Sequence, residues 1–467
     1  MRLPILLFIA LRVMEGPVAA ASREDPRGLL PGIQPNAAGA CTPQAAALSL
    51  ADAVSVALCR NPRTAAAWAA AQAAAAQAGA ARGSLLPQVD AQIGPTLNRS
   101  ESFRGTGFVD GNGQLIGGST SVTSNVTTSA RLGLSWLILD GGARRGRIAA
   151  ADANAEALRA QFDDATLAVV LEVVQAWNLL NANRAVESAN LANLDFARQS
   201  RDLAAARAQA GVATNADRLQ GETQAAQAEL TLAQTRGNVA TASARLAVAM
   251  GLPPGTGLTL APATPLESGA MGSSADALIE EAERLRPDLR AARAQLRAIE
   301  ANERVARSAG RPSLGFAASN TLSALDDNID RNLSSASLTL SVPLFSGWST
   351  RYQITQAKAQ KAQQAATLEQ ARQAAGLAVY QQHVSLENAL IAMRPARALL
   401  ASATESADLA QGRYKAGAGT FADLLNAQAA LATARQQLVQ AEFNVRTAQA
   451  ELARAVGRID DDQGAMP

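Results

Sequence analysis

Residues 210–217 read AGVATNAD, and residues 416–423 read AGAGTFAD. The two stretches lie 206 positions apart, as do Gly141 and Gly347, Asp217 and Asp423, and Gly251 and Gly457 (347 − 141, 423 − 217, 457 − 251). From Gly141 to Gly251 the two copies align without an insertion, and a repeat this long outweighs any single motif as evidence of architecture. Between its glycines the unit is dominated by Ala, Gln, Leu, Arg and Glu, all strong helix formers. The span from Gly141 to Gly211 leaves room for about 68 helical residues, roughly 100 Å at 1.5 Å per residue. No ordinary globular core accommodates that.

The returning segment states its own packing. Leu424, Leu431, Leu438, Val445 and Leu452 recur every seven residues, each followed three places later by Ala427, Ala434, Ala441, Ala448 and Ala455. That is a coiled-coil seam with alanine at one position, so that backbones approach closely. The first copy keeps it with Leu232, Val239 and Leu246 against Ala228, Ala242 and Ala249. Taken alone, this seam also fits a soluble structural coiled coil.

Composition sets outer limits. The chain has 467 residues, 3% aromatics, one histidine and a net charge of +2. Basic residues are scattered along the helices, so there is no nucleic-acid footprint. Residues 1–21 read as a secretory signal peptide: Arg2, an apolar run from Leu3 to Leu11, then Ala19-Ala20-Ala21 before Ser22. Residues 22–47 are Pro- and Gly-rich and read as an extended segment. Cys41 and Cys59, the only cysteines, bracket the start of the first helix; in an oxidising compartment they read as a disulfide, with two unpaired thiols as the alternative. Ala38-Gly39-Ala40-Cys41 has no apolar run before it, so lipidation is rejected.

A first repeat spans 48–251 and a second 275–457, with a linker at 252–274 and a tail at 458–467. A short helix from about Ser49 to Arg82 is echoed from about Ala275 to Ser308, with Pro62 and Pro87 matched by Pro287 and Pro312. Strands follow Pro87 and Pro312. Val89, Ala91 and Ile93 alternate with polar residues, as do Leu132, Leu134, Trp136 and Ile138, and Leu338, Leu340, Val342 and Leu344. The segment from Phe103 to Gly118 reads as a flexible external loop; its Asp110-Gly111-Asn112-Gly113 lacks the closing acid of an EF-hand. Strands apolar on one face and polar on the other are the pattern of a membrane barrel. Each chain offers four, a spanning barrel must close, and single-chain barrels start at about eight strands. The fold class expected is therefore mainly α with a β-barrel portion, completed by other copies of the chain.

Catalytic motifs are missing: there is no H-E-x-x-H, G-x-S-x-G or P-loop, nor a zinc-spaced Cys/His cluster. His383 sits in a Gln-rich helix without a second histidine. No catalytic residue, metal site or cofactor is expected. What remains is the pair of turns. Thr420 can cap a helix whose first turn carries Asp423; symmetry-related Asp423 carboxylates can also line a constriction. Both roles are compatible.

With its doubled organisation, Leu86-Pro87-Gln88 opening the first strand, Val342 to Gly347 (VPLFSG) leaving the last, and the turn from Tyr414 to Leu425, the chain resembles the outer membrane efflux proteins, the TolC-like outer membrane factors. The resemblance covers essentially the whole mature chain. It implies a homotrimer with a twelve-stranded barrel in outer-membrane lipid and an α-helical coiled-coil tunnel in the periplasm. It also implies a periplasmic adaptor docking near the tip turns (Gly211, Thr214, Gly417, Thr420) and an inner-membrane ABC transporter. Carried over residue by residue, Tyr414, Asp423 and Asp217 match the family's periplasmic gate, Asp217 as the acidic partner in the first turn. Gly419 stands where TolC has a locking arginine, and Asn426 where it has a second aspartate, which implies a weaker lock and a less acidic ring. The missing lipidation and the Cys41/Cys59 pair resemble the type I secretion branch, which exports protein substrates; drug or metal efflux is the alternative.

Overall fold

A computed structural model describes residues 47–104, 108–113, 115–116, 119–261, 274–325 and 328–458. The signal segment, Cys41, most of the 252–274 linker and the end of the tail lie outside the described residues.

The first repeat runs α1 (Leu50–Arg60), α2 (Pro62–Gly83), β1 (Gln88–Arg104), a small hairpin of β2 (Phe108–Val109) and β3 (Leu115–Ile116), β4 (Ser119–Leu139), α3 (Ala143–Gln209) and α4 (Asn215–Ala249). The second runs α5 (Ala275–Leu285), α6 (Pro287–Ser308), β5 (Ser313–Leu325), β6 (Asn328–Ser341), α7 (Ser349–Lys415) and α8 (Phe421–Val456). The long helices α3 and α7 have 67 residues each, within one residue of the length set by the glycines.

The short helix expected from Ser49 to Arg82 is two helices, and so is its twin. Asn61 (ψ 126°) and Arg286 (ψ 122°) leave the helical region because each precedes a proline whose ring clashes with a helical neighbour. Both breaks use their side chains alike. Asn61 Nδ2 donates to the Ala249 carbonyl and Arg286 Nη1 to the Ala455 carbonyl, each at 2.9 Å. These carbonyls end the returning helices α4 and α8, where orphaned acceptors need partners. The duplicated Gly251 and Gly457 lie against the same breaks. A Cβ on Gly251 would sit 2.6 Å from the Arg60 carbonyl oxygen, and one on Gly457 3.0 Å from the Arg286 Cα.

The chain divides into two compact units. One contains Ala75–Asn154 and Leu296–Gln364 and holds the strands. Its four-stranded sheet is antiparallel in the order β1-β4-β5-β6. Registration keeps the alternation coherent across strands. Val89 faces Leu134 and Ile93 faces Ala130, Trp136 faces Phe316, and Phe316 faces Leu338, all on one side. Gln92 with Arg131, Ser319 with Ser335 and Gly315 with Thr339 lie on the other. The apolar side is uncovered in one chain, with Val89 58%, Ile93 79% and Leu340 63% exposed. Strand β6 stops at Ser341, short of the expected Val342 and Leu344; Pro343 has no N–H to continue the ladder. Where β4 hands over to α3, Arg144 and Asp140 form a nearly buried ion pair at 3.2 Å. The same guanidinium donates to the Ser84 and Ile138 carbonyls.

The other unit contains Ala155–Gln295 and the described residues from Ala365 onward, together with those up to Ala74. Val56 and Ala57 of α1 pack with Val169, Val173, Trp177 and Leu180 of α3 and with Leu246 of α4. The most apolar part of α3 therefore serves as core. The leucine–alanine seam of α8 is buried as its spacing predicts: Leu431, Ala434 and Ala427 pack on Ala403 and Ala407 of α7, and Val445 and Ala448 on Leu386 and Met393.

Candidate functional site at the paired turns

Each long helix of the second unit ends in the same turn. Gly211 (φ +70°) and Gly417 (φ +75°) adopt the left-handed conformation that lets a helix close on itself. Val212 N–H then donates back to the Arg207 carbonyl, and Ala418 N–H to that of Arg413. The next helix starts with a capping box in both copies. Thr214 Oγ1 accepts from the Asp217 amide at 3.1 Å while the Asp217 carboxylate accepts from the Thr214 amide at 3.0 Å. Thr420 and Asp423 repeat this at 3.1 and 3.2 Å, and the Thr420 hydroxyl adds a bond to the carboxylate at 2.7 Å. Hydrogen bonding to Thr420, side chain first and backbone second, lowers the Asp423 pKa below the ordinary carboxylate range. Gly211, Thr214, Gly417, Thr420 and Asp423 are all exposed, and Asp217 is half-buried.

Tyr414 is buried at 3% exposure, with Phe421, Leu424 and Ala204 around it. Its ring lies 5.3 Å from that of Phe421. Arg207, at the end of α3, lies over the same ring at 4.8 Å and donates Nη1 to the Tyr414 carbonyl. The two turns are thus joined through Arg207 and Tyr414. Burial pushes the Tyr414 phenol up, the Arg207 guanidinium opposes this, and the Asp217 carboxylate adds to the rise. The family's tyrosine–acid tie is not made as a hydrogen bond within one chain: the Tyr414 hydroxyl and Arg207 Nε are both buried without a partner among the described residues. Asp217 spends its carboxylate on the Thr214 cap.

Sequence reasoning missed Arg207 and Phe421. A signal for the arginine exists, because Arg207 and Arg413 stand four residues before the duplicated turn glycines. Their jobs differ. Arg413 Nη2 donates to the Ala418 carbonyl at 3.4 Å, and its charge contributes to the lowering at Asp423. Gly419, in place of the family's arginine, has no room for a side chain without a shift: its Cβ would lie 3.2 Å from the Arg413 Cβ.

Among the described residues no group of three or more His, Cys, Asp or Glu side chains converges as a metal site. A recess of about 600 Å³ in the helical unit is lined by Glu172, Leu179, Arg245, Val248, Phe443 and Thr447, among others, with Glu172 its single carboxylate. What the turns offer is positioned charge and backbone at two helix starts.

A family profile described as Outer membrane efflux protein matches residues 53–252 and 278–458, one segment in each repeat. Protein CyaE of Bordetella pertussis is 30% identical over 418 residues, covering 88% of this chain and 84% of that protein. Outer membrane efflux protein BepC of Brucella suis is 26% identical over 360 residues, covering 76% and 78%. Among solved structures, the outer-membrane channel OprN superposes with a TM-score of 0.75 at 22% identity, covering 87% of this chain and 89% of that one. The CmeC outer membrane channel of Campylobacter jejuni gives 0.74 at 18% identity, covering 87% and 85%. OprN and CmeC are named as outer-membrane channels, and BepC as an outer membrane efflux protein.

Proposed function

This chain belongs to the outer membrane efflux protein family, and we propose that three copies of it form the exit duct of a type I secretion system. It is an outer-membrane export duct with its helical part in the periplasm. The observation that carries the trimer is the sheet. Its outer strands β1 and β6 have 17 and 14 residues, each with one edge that pairs with no strand among the described residues, and one face of the sheet is apolar and exposed. An open edge is not tolerated in lipid. Three sheets of four strands close a twelve-stranded barrel, with β6 of one copy pairing β1 of the next.

In this reading the duct carries no catalysis. The exposed turns at Gly211, Thr214, Gly417 and Thr420 face a periplasmic adaptor, an inner-membrane ABC transporter supplies the energy, and the cargo is a protein of the haemolysin or adenylate cyclase toxin class. Tyr414, Asp217 and Asp423 form the periplasmic gate. A second reading, a duct for drug or metal efflux, is favoured by the name of BepC.

Deleting the gene and assaying two phenotypes separates them. Loss of one large protein from the culture medium with unchanged drug and metal susceptibility supports secretion; the reverse supports efflux. Mass measurement of the detergent-solubilised particle tests the trimer, and a folded one-chain particle refutes it. A soluble coiled coil would be extracted without detergent.

A further inference from the structure

We propose that Tyr352 is a wedge by which one copy of this chain locks to the next, seated on Ala76 and Ala80 of the neighbouring copy. The inference rests on the trimer proposed above and assigns its seam at the level where strands give way to helices.

Within the strand-bearing unit, the contacts follow the order of the sheet. Residues of α2 and α3 are tied by Arg82 and Asp152 at 2.9 Å, and α7 is tied to α6 by Lys361 and Glu300 at 3.0 Å. Among the helices of this unit, the two repeats meet through α3 and α6. There Gly146 is buried against α6 so closely that a Cβ would lie 2.6 Å from Val305 Cγ2 and 3.2 Å from the Ala301 carbonyl oxygen. The outer flanks, like the outer strands β1 and β6, belong to α2 and α7.

The duplication says what those flanks meet. Moving α3 by 206 positions gives α7, and moving α6 back by 225 (312 − 87) gives α2. Gly146 becomes Tyr352, Val305 becomes Ala80 and Ala301 becomes Ala76. Inside the chain the smallest residue faces a branched one; across the seam a large aromatic faces two alanines. The sizes are exchanged, as close packing demands when a contact is rebuilt with different residues. Tyr352 is 73% exposed in a single chain, and Ala76 and Ala80 are exposed, while their twins Ala301 and Val305 are fully buried and half-buried.

A second pair of twins agrees. A Cβ on Gly141 would lie 2.5 Å from the Arg311 Cβ, whereas one on Gly347, at nearly the same φ (+62° and +58°), meets none of the described residues within 4 Å. The same shift turns Arg311 into Leu86, which is 56% exposed. The space beside Gly347 is therefore where the neighbouring copy's Leu86 fits.

The test places cysteines at both positions of the full-length protein, Tyr352→Cys with Ala80→Cys, and oxidises it in outer-membrane preparations. The close approach at the twin contact is within disulfide reach. The expected result is a reducible ladder up to three chains on a non-reducing gel, with no ladder from either single variant. Tyr352→Ala should lower the temperature at which the detergent particle dissociates, and Tyr352→Phe should restore it. A particle of three chains that neither cross-links here nor loses heat resistance in Tyr352→Ala overturns the seam and leaves the trimer standing. A wild-type particle of one chain overturns both.

Discussion

Arg207 holds Tyr414 in two ways at once: its guanidinium covers the ring at 4.8 Å, and Nη1 donates to the carbonyl of the same residue. The end of the first long helix is thereby fastened to the end of the second. A partly desolvated cation–π contact contributes about 0.5–2 kcal/mol, and a hydrogen bond from a charged donor about 1.5–3 kcal/mol. Arg207→Ala should therefore loosen the tip by about 2–5 kcal/mol on these scales. Tyr414→Phe should cost little within one chain, because the hydroxyl it removes has no partner among the described residues. Hydrogen exchange at residues 203–209 and 411–417 reads this out. Equal deprotection in the two variants would show that the phenol, not the ring, carries the contact.

The ion pair of Arg144 and Asp140 is the second fastening point. Removing one member of a buried, hydrogen-bonded pair costs about 3–5 kcal/mol because the other charge is stranded. Arg144→Ala should thus destabilise the handover from β4 to α3, and Arg144→Lys should rescue it poorly. A lysine has no planar fork with which to reach Asp140, Ser84 and Ile138 together. Thermal dissociation of the detergent particle checks this, and a lysine variant as stable as wild type would contradict it.

Much of this fold is legible in the sequence because its determinants are local and occur twice. The glycine spacing sets helix lengths, and the leucine–alanine heptads set the pairing of α7 with α8. The break at Asn61 is also local, but a helical periodicity that runs through a proline conceals it, as at Arg286. The caps at Thr214 and Thr420 are legible in a four-residue pattern. The contact of Arg207 with Tyr414 is not, since it joins residues 207 positions apart (414 − 207) and exists only once α3 and α7 pack side by side. The repeat even misleads there: Arg413, the twin of Arg207, turns back on its own turn.

Trp348 departs from its twin in a testable way. It has φ +65°, the one described non-glycine residue with positive φ, where the first repeat has Gly142 at +97°. A left-handed backbone costs a side chain roughly 1–2 kcal/mol. Phe345 packs edge-on to the indole at 6.1 Å and Arg351 lies over it at 5.9 Å. These contacts contribute about 0.5–1.5 and 0.5–1 kcal/mol, comparable with the strain, so Trp348→Gly should leave the temperature of thermal dissociation within a few degrees of wild type. A larger drop would mean that the indole is anchored by something outside the chain, with outer-membrane lipid the first candidate.

Cys59 lies half-buried on α1, and Cys41 lies outside the described residues. A Cys41–Cys59 bond would close a loop of 18 positions (59 − 41) and stabilise the protein by roughly 3 kcal/mol on chain-entropy grounds. Mass spectrometry of unreduced protein from outer-membrane preparations should find both cysteines in one linked peptide pair. Alkylation of both thiols without prior reduction would refute the bond.

The last prediction separates the two roles of Asp423. As a cap, its carboxylate is held by Thr420 and its folded pKa is depressed. A depressed pKa contributes stability that is present above the unfolded pKa and is lost as the pH falls through the folded one. The cap should therefore survive at neutral pH and weaken only below the ordinary carboxylate range. As a ring of three in a constriction, the same carboxylates repel one another, which raises at least one pKa, and they select cations by sign. Cation selectivity in planar bilayers should then titrate at or above the ordinary carboxylate range, higher than the cap alone would titrate. Asp423→Asn should lower selectivity and weaken block by multivalent cations while the trimer survives. Thr420→Ala, a cap-only change costing about 1 kcal/mol, should leave selectivity near its wild-type value. If Asp423→Asn and Thr420→Ala behave alike, with selectivity unchanged in both, the carboxylate is a cap and does not face the pore.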